Sequence, residues 1–203
     1  SVTIVSLYWC EYEEKEFMNW QNAEKMAPFE YLLAENDRPD GIRHEYVNGK
    51  IYAMPEVSRN HNLLRGKLFN RLFNHLEGSP CEVFQSDMKV GISTQDERYF
   101  YYPDIQVSCE EENDQYYNRS PCLIIEVLST STARTDRTEK LHAYQQIPSL
   151  QEYLLCSQDS PSIERHRRDN DWSTEYFSGG DVITLCSVGM ELRVDDIYEF
   201  LIT

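Results

Sequence analysis

The clearest periodic stretch of the sequence lies between Ser58 and Leu76. Its apolar residues recur three or four positions apart, as one buried face of an α-helix requires. These residues are Leu64, Leu68, Phe69, Leu72, Phe73 and Leu76. Ser58 suits the N-cap of such a helix, and Gly78 and Pro80 are typical of its end. The pattern therefore predicts a long helix with its apolar side against a core.

A shorter pattern upstream predicts a β-hairpin at residues 43–53. Asn48-Gly49 separates two short apolar stretches, and this pair is preferred in a two-residue type I′ turn. Before the hairpin, Pro28 suits the first turn of a short helix that ends near Glu35.

The rest of the chain mixes strand-like and helix-like stretches. We expect strands at 81–85, 87–92, 100–108, 122–128, 151–156, 162–168, 172–177 and 181–185, and helices at 135–146 and from about Asp195. This order predicts an α/β fold, with one mixed central sheet flanked by helices. Residues 28–203 are predicted to form that domain, and residues 1–27 an acidic, aromatic-rich extension.

The composition indicates a globular protein of ordinary size. Hydrophobic residues make up 40% of the 203 residues, and charged residues 27%. No apolar run is long enough to span a membrane, and the first residues lack the basic region of a signal peptide. We therefore expect a cytoplasmic protein with no membrane partner. The cysteines form no C-x-x-C pair and are predicted to be free thiols: Cys10, Cys81, Cys109, Cys122, Cys156 and Cys186.

The net charge of −16 argues against tight nucleic-acid binding, because phosphates are held largely by lysine and arginine. The charge is uneven, however, since residues 58–75 carry basic residues and no acid. Because the local field decides where an anion docks, Arg59, Lys67 and Arg71 are candidate phosphate contacts. His61, in the same helix, is a further candidate for the nucleic-acid interface. Its helical position faces the sheet, where an inward histidine is usually a hydrogen-bonded core residue.

Glu126 carries the strongest chemical signal. It interrupts the apolar run 122–128, which otherwise predicts a fully buried strand. An ionised carboxylate there costs several kcal/mol unless it is paired or coordinates a metal ion. A buried ion pair with arginine or lysine is the alternative.

Asp104 follows Pro103, which lacks an N–H and marks a strand edge or a bulge. Bulges often redirect a side chain toward an active site, although a simple loop cap is the alternative. Together with Glu126, Asp104 could bind Mg²⁺, which prefers oxygen ligands and can activate water for phosphodiester hydrolysis. Glu45 is a further metal or water ligand, or half of a cross-strand ion pair. Lys140 could reach a phosphate, yet its helical position is also typical of a surface lysine.

Motifs of other enzyme classes are absent. The sequence has no Walker-type phosphate loop, no G-x-S-x-G elbow and no H-E-x-x-H motif. The basic cluster at residues 165–168 is either a phosphate-facing patch or an edge strand protected by charge.

Five short motifs, in order, resemble the Uma-type family of the PD-(D/E)XK restriction-endonuclease-like superfamily. They are Arg43-x-Glu45-x-x-x-Gly49, His61-Asn62, Pro103-Asp104, Glu126-Val-Leu-Ser129 and Lys140-x-x-x-Tyr144. The resemblance covers about Phe29 to Phe200. It implies Asp104 and Glu126 as Mg²⁺ or Mn²⁺ ligands, Glu45 as an auxiliary acid and Lys140 as the catalytic lysine. Leu128 stands where the superfamily has its lysine, so Lys140 would replace that residue from the next helix.

The sequence therefore predicts a metal-dependent DNA endonuclease that forms a homodimer. The main alternative is a catalytically silent protein of the same fold, which binds or scaffolds in a DNA-defence or mobile-element system. A two-carboxylate glycosidase is a third possibility, and it would need an open aromatic groove without the convergent lysine.

Overall fold

The computed structural model describes residues 25–39 and 41–201. The helices are α1 (Pro28–Asn36), α2 (Arg59–His75), α3 (three consecutive segments, Ala133–Thr135, Asp136–Lys140 and Leu141–Tyr144) and α4 (Val194–Tyr198). The strands are β1 (His44–Val47), β2 (Lys50–Ala53), β3 (Glu82–Gln85), β4 (Lys89–Ser93), β5 (Arg98–Tyr101), β6 (Ile105–Ser108), β7 (Tyr117–Asn118), β8 (Pro121–Leu128), β9 (Glu152–Ser157), β10 (Ser162–Arg167), β11 (Thr174–Ser178), β12 (Val182–Leu185) and β13 (Met190–Arg193). Most of the extension predicted at residues 1–27 lies outside the described residues.

The predicted hairpin is confirmed. Strands β1 and β2 pair in antiparallel register, with Glu45 opposite Tyr52. Asn48 and Gly49 have φ angles of 49° and 98°. Both angles are left-handed, as a type I′ turn requires.

Helix α2 confirms the predicted N-cap and most of the predicted buried face. The Ser58 hydroxyl accepts a hydrogen bond from the His61 N–H. Four leucines spaced four residues apart are buried: Leu64, Leu68, Leu72 and Leu76. The assignment of Phe73 to this face is wrong, because its side chain is 53% exposed. One residue past Leu72, it is rotated by about 100° out of the narrow buried stripe.

The predicted mixed central sheet is confirmed, and the remaining strands form two further sheets that were not predicted. Among the described residues, a six-stranded sheet has the order β11-β10-β9-β8-β6-β3, a five-stranded sheet has the order β2-β1-β5-β4-β7, and β12 and β13 form a hairpin. Both larger sheets are mixed, since β8 and β9 are parallel, as are β4 and β7. Residues 100–108 do not form the single strand predicted, because the chain leaves the five-stranded sheet after Tyr101 and enters the six-stranded sheet at Ile105. Pro103, which cannot donate to a ladder, lies in the break.

Strand β8 is the centre of the core, and both of its faces are covered. Leu123, Ile125 and Val127 pack with the leucines of α2. Ile124 and Leu128 face the opposite way, toward α3 and the five-stranded sheet. Because side chains alternate along a strand, Glu126 shares the second face and points toward α3.

The prediction that all cysteines are free thiols is wrong. Cys81 and Cys109 form a disulfide bond. The pairing of β3 with β6, in which Glu82 lies opposite Ser108, brings the two cysteines together. Cys122, Cys156 and Cys186 are free, and Cys10 lies outside the described residues.

The later elements follow the prediction with shifted boundaries. Helix α3 replaces the helix predicted at 135–146, and α4 begins close to Asp195. Strand β13 was not predicted, since its apolar alternation lasts for only four residues. No helix in the described part of the chain is long and apolar enough to cross a membrane.

Candidate active site

Three carboxylates surround the side chain of Lys140. Its Nζ lies 2.9 Å from Oε1 of Glu45, 3.1 Å from Oε1 of Glu126 and 3.5 Å from Oδ1 of Asp136. The lysine is buried, so the alternative of a solvated surface lysine is wrong. Glu126 forms a buried ion pair with Lys140, which is the alternative to metal coordination that the sequence left open. The pair belongs to a cluster with an excess of acids.

Asp104 joins this cluster through the break between β5 and β6. Its N–H donates to Oε2 of Glu126 at 3.1 Å, and the Val127 N–H donates to its Oδ2 at 2.8 Å. Nε2 of His61, on the first turn of α2, lies 2.8 Å from Oδ1 of Asp104. The chain therefore places the carboxyl groups of Asp104 and Glu126 side by side.

Asp136 was missed by the sequence analysis. It stands four residues before Lys140, and the two form an i,i+4 ion pair within a π-helical turn, Asp136–Lys140. Such turns occur mostly as single insertions in α-helices, frequently at functional sites. An acid four residues before the candidate lysine was the available signal, and the neighbouring Arg137 and Glu139 obscured it.

Two tyrosines and a backbone group complete the surroundings of the cluster. The Tyr144 hydroxyl donates to Oε1 of Glu126 at 3.1 Å. The Tyr102 N–H donates to Oε1 of Glu45 at 3.1 Å. Nζ of Lys140 also lies 5.4 Å from the centre of the Tyr101 ring, within the range of a cation–π contact. These contacts fix the orientation of the glutamates and the lysine.

Burial and crowding of like charges shift the pKa values in the cluster. Burial raises the pKa of Glu126 above its ordinary value against the opposing charge of Lys140, and the Asp136 charge raises it further. Burial likewise raises the pKa of Asp136. Burial alone would lower the pKa of Lys140, but the charges of Glu126, Glu45 and Asp136 outweigh it and raise that pKa well above its ordinary value. The lysine is therefore a cation at neutral pH.

The donor set fits a hard divalent cation. Mg²⁺ is commonly held by one or two carboxylates, with water and substrate oxygens completing its shell. Asp104 and Glu126 are adjacent and offer such oxygens, and the contacts of His61 and the Val127 N–H orient the Asp104 carboxylate as outer groups orient metal ligands. A protein-only cage is not formed, since the described residues contain no group of three or more histidine, cysteine or acidic side chains arranged for a metal ion.

A narrow cleft of about 60 Å³ connects the cluster with solvent. Residues 54–57, between β2 and α2, form one wall, and Ser129 and Thr132 line the mouth near α3. A glycosidase would need an open aromatic groove without the convergent lysine. This cleft is narrow and contains the carboxylates together with Lys140, so it does not favour a glycosidase.

The residues predicted to contact nucleic acid do not form one surface. Arg59 is exposed and makes no ion pair with the described residues. Lys67 and Arg71 pair with Glu199 and Asp196 at 3.0 Å and 3.2 Å. His61 is buried against Asp104, so the structure brings it into the site and away from the surface that carries Arg59.

The arginines of the basic cluster at residues 165–168 all have hydrogen-bond partners within the chain. Arg165 and Arg167 both bond the Glu175 carboxylate, and Arg168 donates to backbone carbonyls. Strand β10 lies between β9 and β11. The interpretation as a charged edge strand is therefore wrong, because β10 is an inner strand. Arg168 is exposed and lines a surface pocket with Arg167, so the interpretation as a phosphate-facing patch stays a prediction.

Comparisons with known proteins agree with the fold and with the resemblance found in the sequence. The model of the Uma2 family, described as "Putative restriction endonuclease", matches residues 28–195. The uncharacterized protein slr1290 of Synechocystis is 37% identical over 182 residues, which cover 87% of this chain and 93% of that protein. A second uncharacterized Synechocystis protein, sll1609, is 38% identical over 156 residues, which cover 74% of this chain and 86% of that protein.

A crystal structure from Anabaena variabilis, of "a putative nuclease belonging to DUF820", aligns with a TM-score of 0.63. The alignment covers 78% of this chain and 91% of that chain, at 21% sequence identity. At this identity the match shows the fold alone, and it confirms a nuclease-like α/β architecture. Because the Uma2 family model matches residues 28–195, the chain belongs to the Uma2 family.

Proposed function

We propose that this protein is an endonuclease that hydrolyses phosphodiester bonds of DNA with the help of Mg²⁺ or Mn²⁺. One observation carries the proposal: the carboxylates of Glu45, Glu126 and Asp136 surround the single ammonium group of Lys140 at the base of a cleft, and Asp104 lies next to Glu126. Buried charges that are not fully compensated are costly. A divalent cation between Asp104 and Glu126 would relieve that cost, and this arrangement suits a function that uses such an ion.

Each side chain of the cluster has a role in this proposal. Asp104 and Glu126 would hold the ion, which when bound would activate water and neutralise charge on the phosphate. Lys140 is cationic, so it would stabilise the negative charge that develops on the phosphoryl oxygens and would not accept a proton. Glu45 holds the ammonium from one side, and the Tyr144 hydroxyl orients Glu126.

Homodimerisation and a cytoplasmic location stay predictions. Family membership supports DNA as the partner of the site, without specifying its sequence or form. Light scattering on the purified protein would measure the number of chains in the assembly.

The function is tested by cleavage of supercoiled plasmid and of single-stranded circular DNA, with Mg²⁺, Mn²⁺ or EDTA. We expect cleavage with either metal and none with EDTA. Asp104→Asn, Glu126→Gln and Lys140→Met should each lower the rate by at least about 100-fold, the loss typical when a group that stabilises transition-state charge is removed. Glu191→Gln, at an exposed position on β13, is the matched control and should cleave like the native protein.

Two results would contradict the proposal. Equal rates in the native protein and the three site variants would point to a contaminating nuclease. No cleavage of any DNA form with either metal would favour the alternative of a catalytically silent protein of the same fold.

A further inference from the structure

We propose that the substrate of this site is single-stranded DNA. The DNA would run along the protein strand β2 into the cleft, with one base stacked on the ring of Tyr52. This inference rests on the proposed nuclease function and specifies the substrate of the same site. It is carried by the depth of the cluster, by the position of Tyr52 beside Glu45 and by the charge of the surrounding surface.

The cluster lies too deep for a rigid duplex to reach it. The side chains of Glu126, Lys140 and Asp104 are only 5%, 8% and 12% exposed. The wall at residues 54–57 leaves a cleft of about 60 Å³. Double-stranded DNA is a stiff rod that bends at a cost of several kcal/mol over the length of a binding site. A single strand is flexible enough to present one phosphodiester to a recessed site.

Tyr52 provides a stacking surface beside the site. It lies directly opposite Glu45 in the β1–β2 ladder, and directly opposed residues of an antiparallel pair place their side chains on the same face. The Tyr52 side chain is 51% exposed, and β2 is the end strand of its sheet in the described part of the chain. Aromatic side chains in such positions bind nucleobases of any sequence by stacking.

Lys50 adds a positive charge on the same face of β2. It stands two residues before Tyr52, so its side chain points to the same side of the strand. It is exposed and forms no ion pair with the described residues. Val57, which lines the cleft, is also 47% exposed. Together these side chains form an apolar and basic path from the edge of the sheet to Glu45.

The charge of the protein also favours a single strand over a duplex. Duplex binding depends mainly on lysine and arginine contacts to phosphates, and this chain carries a net charge of −16. Lys67 and Arg71, which the sequence suggested for that role, are already paired with acids. Stacking needs no net positive charge, and it contributes about 1–3 kcal/mol per base.

The experiment is fluorescence anisotropy with a labelled single-stranded DNA, the duplex of the same sequence and the corresponding single-stranded RNA. The Glu126→Gln background is used so that cleavage does not consume the probe. We expect the single-stranded DNA to bind most tightly. Tyr52→Ala should weaken its binding by about 5- to 100-fold, and Tyr52→Phe, which keeps the ring, should retain it. Tyr176→Ala is the matched control, because Tyr176 is an exposed tyrosine outside the cleft and its loss should leave binding unchanged.

The inference is overturned if the duplex or the RNA binds as tightly as the single-stranded DNA, or if Tyr52→Ala binds like its parent. Its failure is distinguishable from failure of the proposed function. Metal-dependent cleavage of duplex DNA that is insensitive to Tyr52→Ala would refute this inference alone. Binding of single-stranded DNA that depends on Tyr52, without cleavage of any DNA by the native protein, would support the strand path and refute the nuclease.

Discussion

Nε2 of His61 lies 2.8 Å from Oδ1 of Asp104, and this contact joins the first turn of helix α2 to a candidate metal ligand. The histidine is buried, and its Nδ1 has no hydrogen-bond partner among the residues that the structure describes. The side-chain contact of His61 with Asp104 is therefore made by Nε2. Outer groups that orient a metal ligand in this way are worth about 10- to 100-fold in metal affinity or activity.

Replacing His61 should weaken metal binding without removing a ligand. We expect His61→Leu to lower the affinity for Mn²⁺ by about 10- to 100-fold. His61→Gln should retain more affinity, because its amide can still donate to Asp104. The measurement is the rise of the thermal midpoint with Mn²⁺ concentration, from which the dissociation constant follows by linkage. His142→Gln, an exposed histidine on α3, is the control, and equal Mn²⁺ affinity in His61→Leu and this control would show that His61 plays no such role.

Removing the ammonium of Lys140 should destabilise the fold. Lys140→Met leaves Glu45, Glu126 and Asp136 without their shared cation, and breaking a buried ion pair in this way costs about 3–5 kcal/mol. Urea denaturation measures the free energy of unfolding. Adding Glu126→Gln should restore part of the loss, because one uncompensated charge is then gone. Lys50→Met, at an exposed site, should change stability by no more than about 0.5 kcal/mol, and an equally small effect of Lys140→Met would contradict the prediction.

The contribution of Glu175 to stability should depend on pH. Burial alone would raise its pKa, but hydrogen bonds from Arg167 and Arg165 outweigh burial and hold that pKa below its ordinary value. A carboxyl group whose pKa is lower in the folded state stabilises the protein above its unfolded pKa, and this stabilisation is lost as the pH falls through the folded pKa.

Glu175→Gln should therefore destabilise the protein at pH 7 by up to about 1 kcal/mol, since the group is partly exposed, and should have little effect at strongly acidic pH. Urea denaturation at the two pH values gives the comparison. Glu191→Gln, an exposed acid on β13, should show no such difference. The same loss of stability for Glu175→Gln at both pH values would refute the electrostatic explanation.

The Cys81–Cys109 disulfide should be detectable and stabilising. A non-reducing peptide map should link the two peptides, and finding both cysteines alkylated without reductant would contradict the structure. The bond closes a loop with a sequence separation of 28, so Cys81→Ser should lower the free energy of unfolding by about 3–4 kcal/mol on the chain-entropy model. Cys186→Ser, an exposed free cysteine, should have little effect.

Much of the fold and the membership of the cluster could be predicted from local sequence. The Asn48-Gly49 turn and the Ser58 cap have few alternative conformations, so the hairpin and α2 followed from the sequence. Glu126 was recognisable because a charge in an apolar strand needs a partner. Asp104 was recognisable from the irregularity that Pro103 marks, and family resemblance added Glu45 and Lys140 as companions. The structure brings all four together, while their chemical roles stay a proposal.

Other features depend on contacts that no local pattern encodes. The break at Pro103 was recognised as an irregularity, but the change of sheet depends on which strands pair. The disulfide depends on the register of β3 with β6. The ion pairs of Lys67 and Arg71 involve acids at the far end of the chain, so those two residues looked free in the sequence. Asp136 was overlooked because the charges of Arg137 and Glu139 beside it obscured its spacing of four residues from Lys140.

The separation of β5 from β6 has a consequence for when the cluster can form during folding. Glu45 belongs to the five-stranded sheet, Asp104 lies just before β6, Glu126 belongs to β8 of the six-stranded sheet, and Lys140 comes from helix α3, which follows β8 in the chain. The cluster therefore forms only after the two sheets have packed together and α3 has packed against them. A nascent chain released before residue 140, or a copy with misassembled sheets, contains most of the acids but no assembled cleft. Any hydrolytic activity of this site would thereby depend on completed folding.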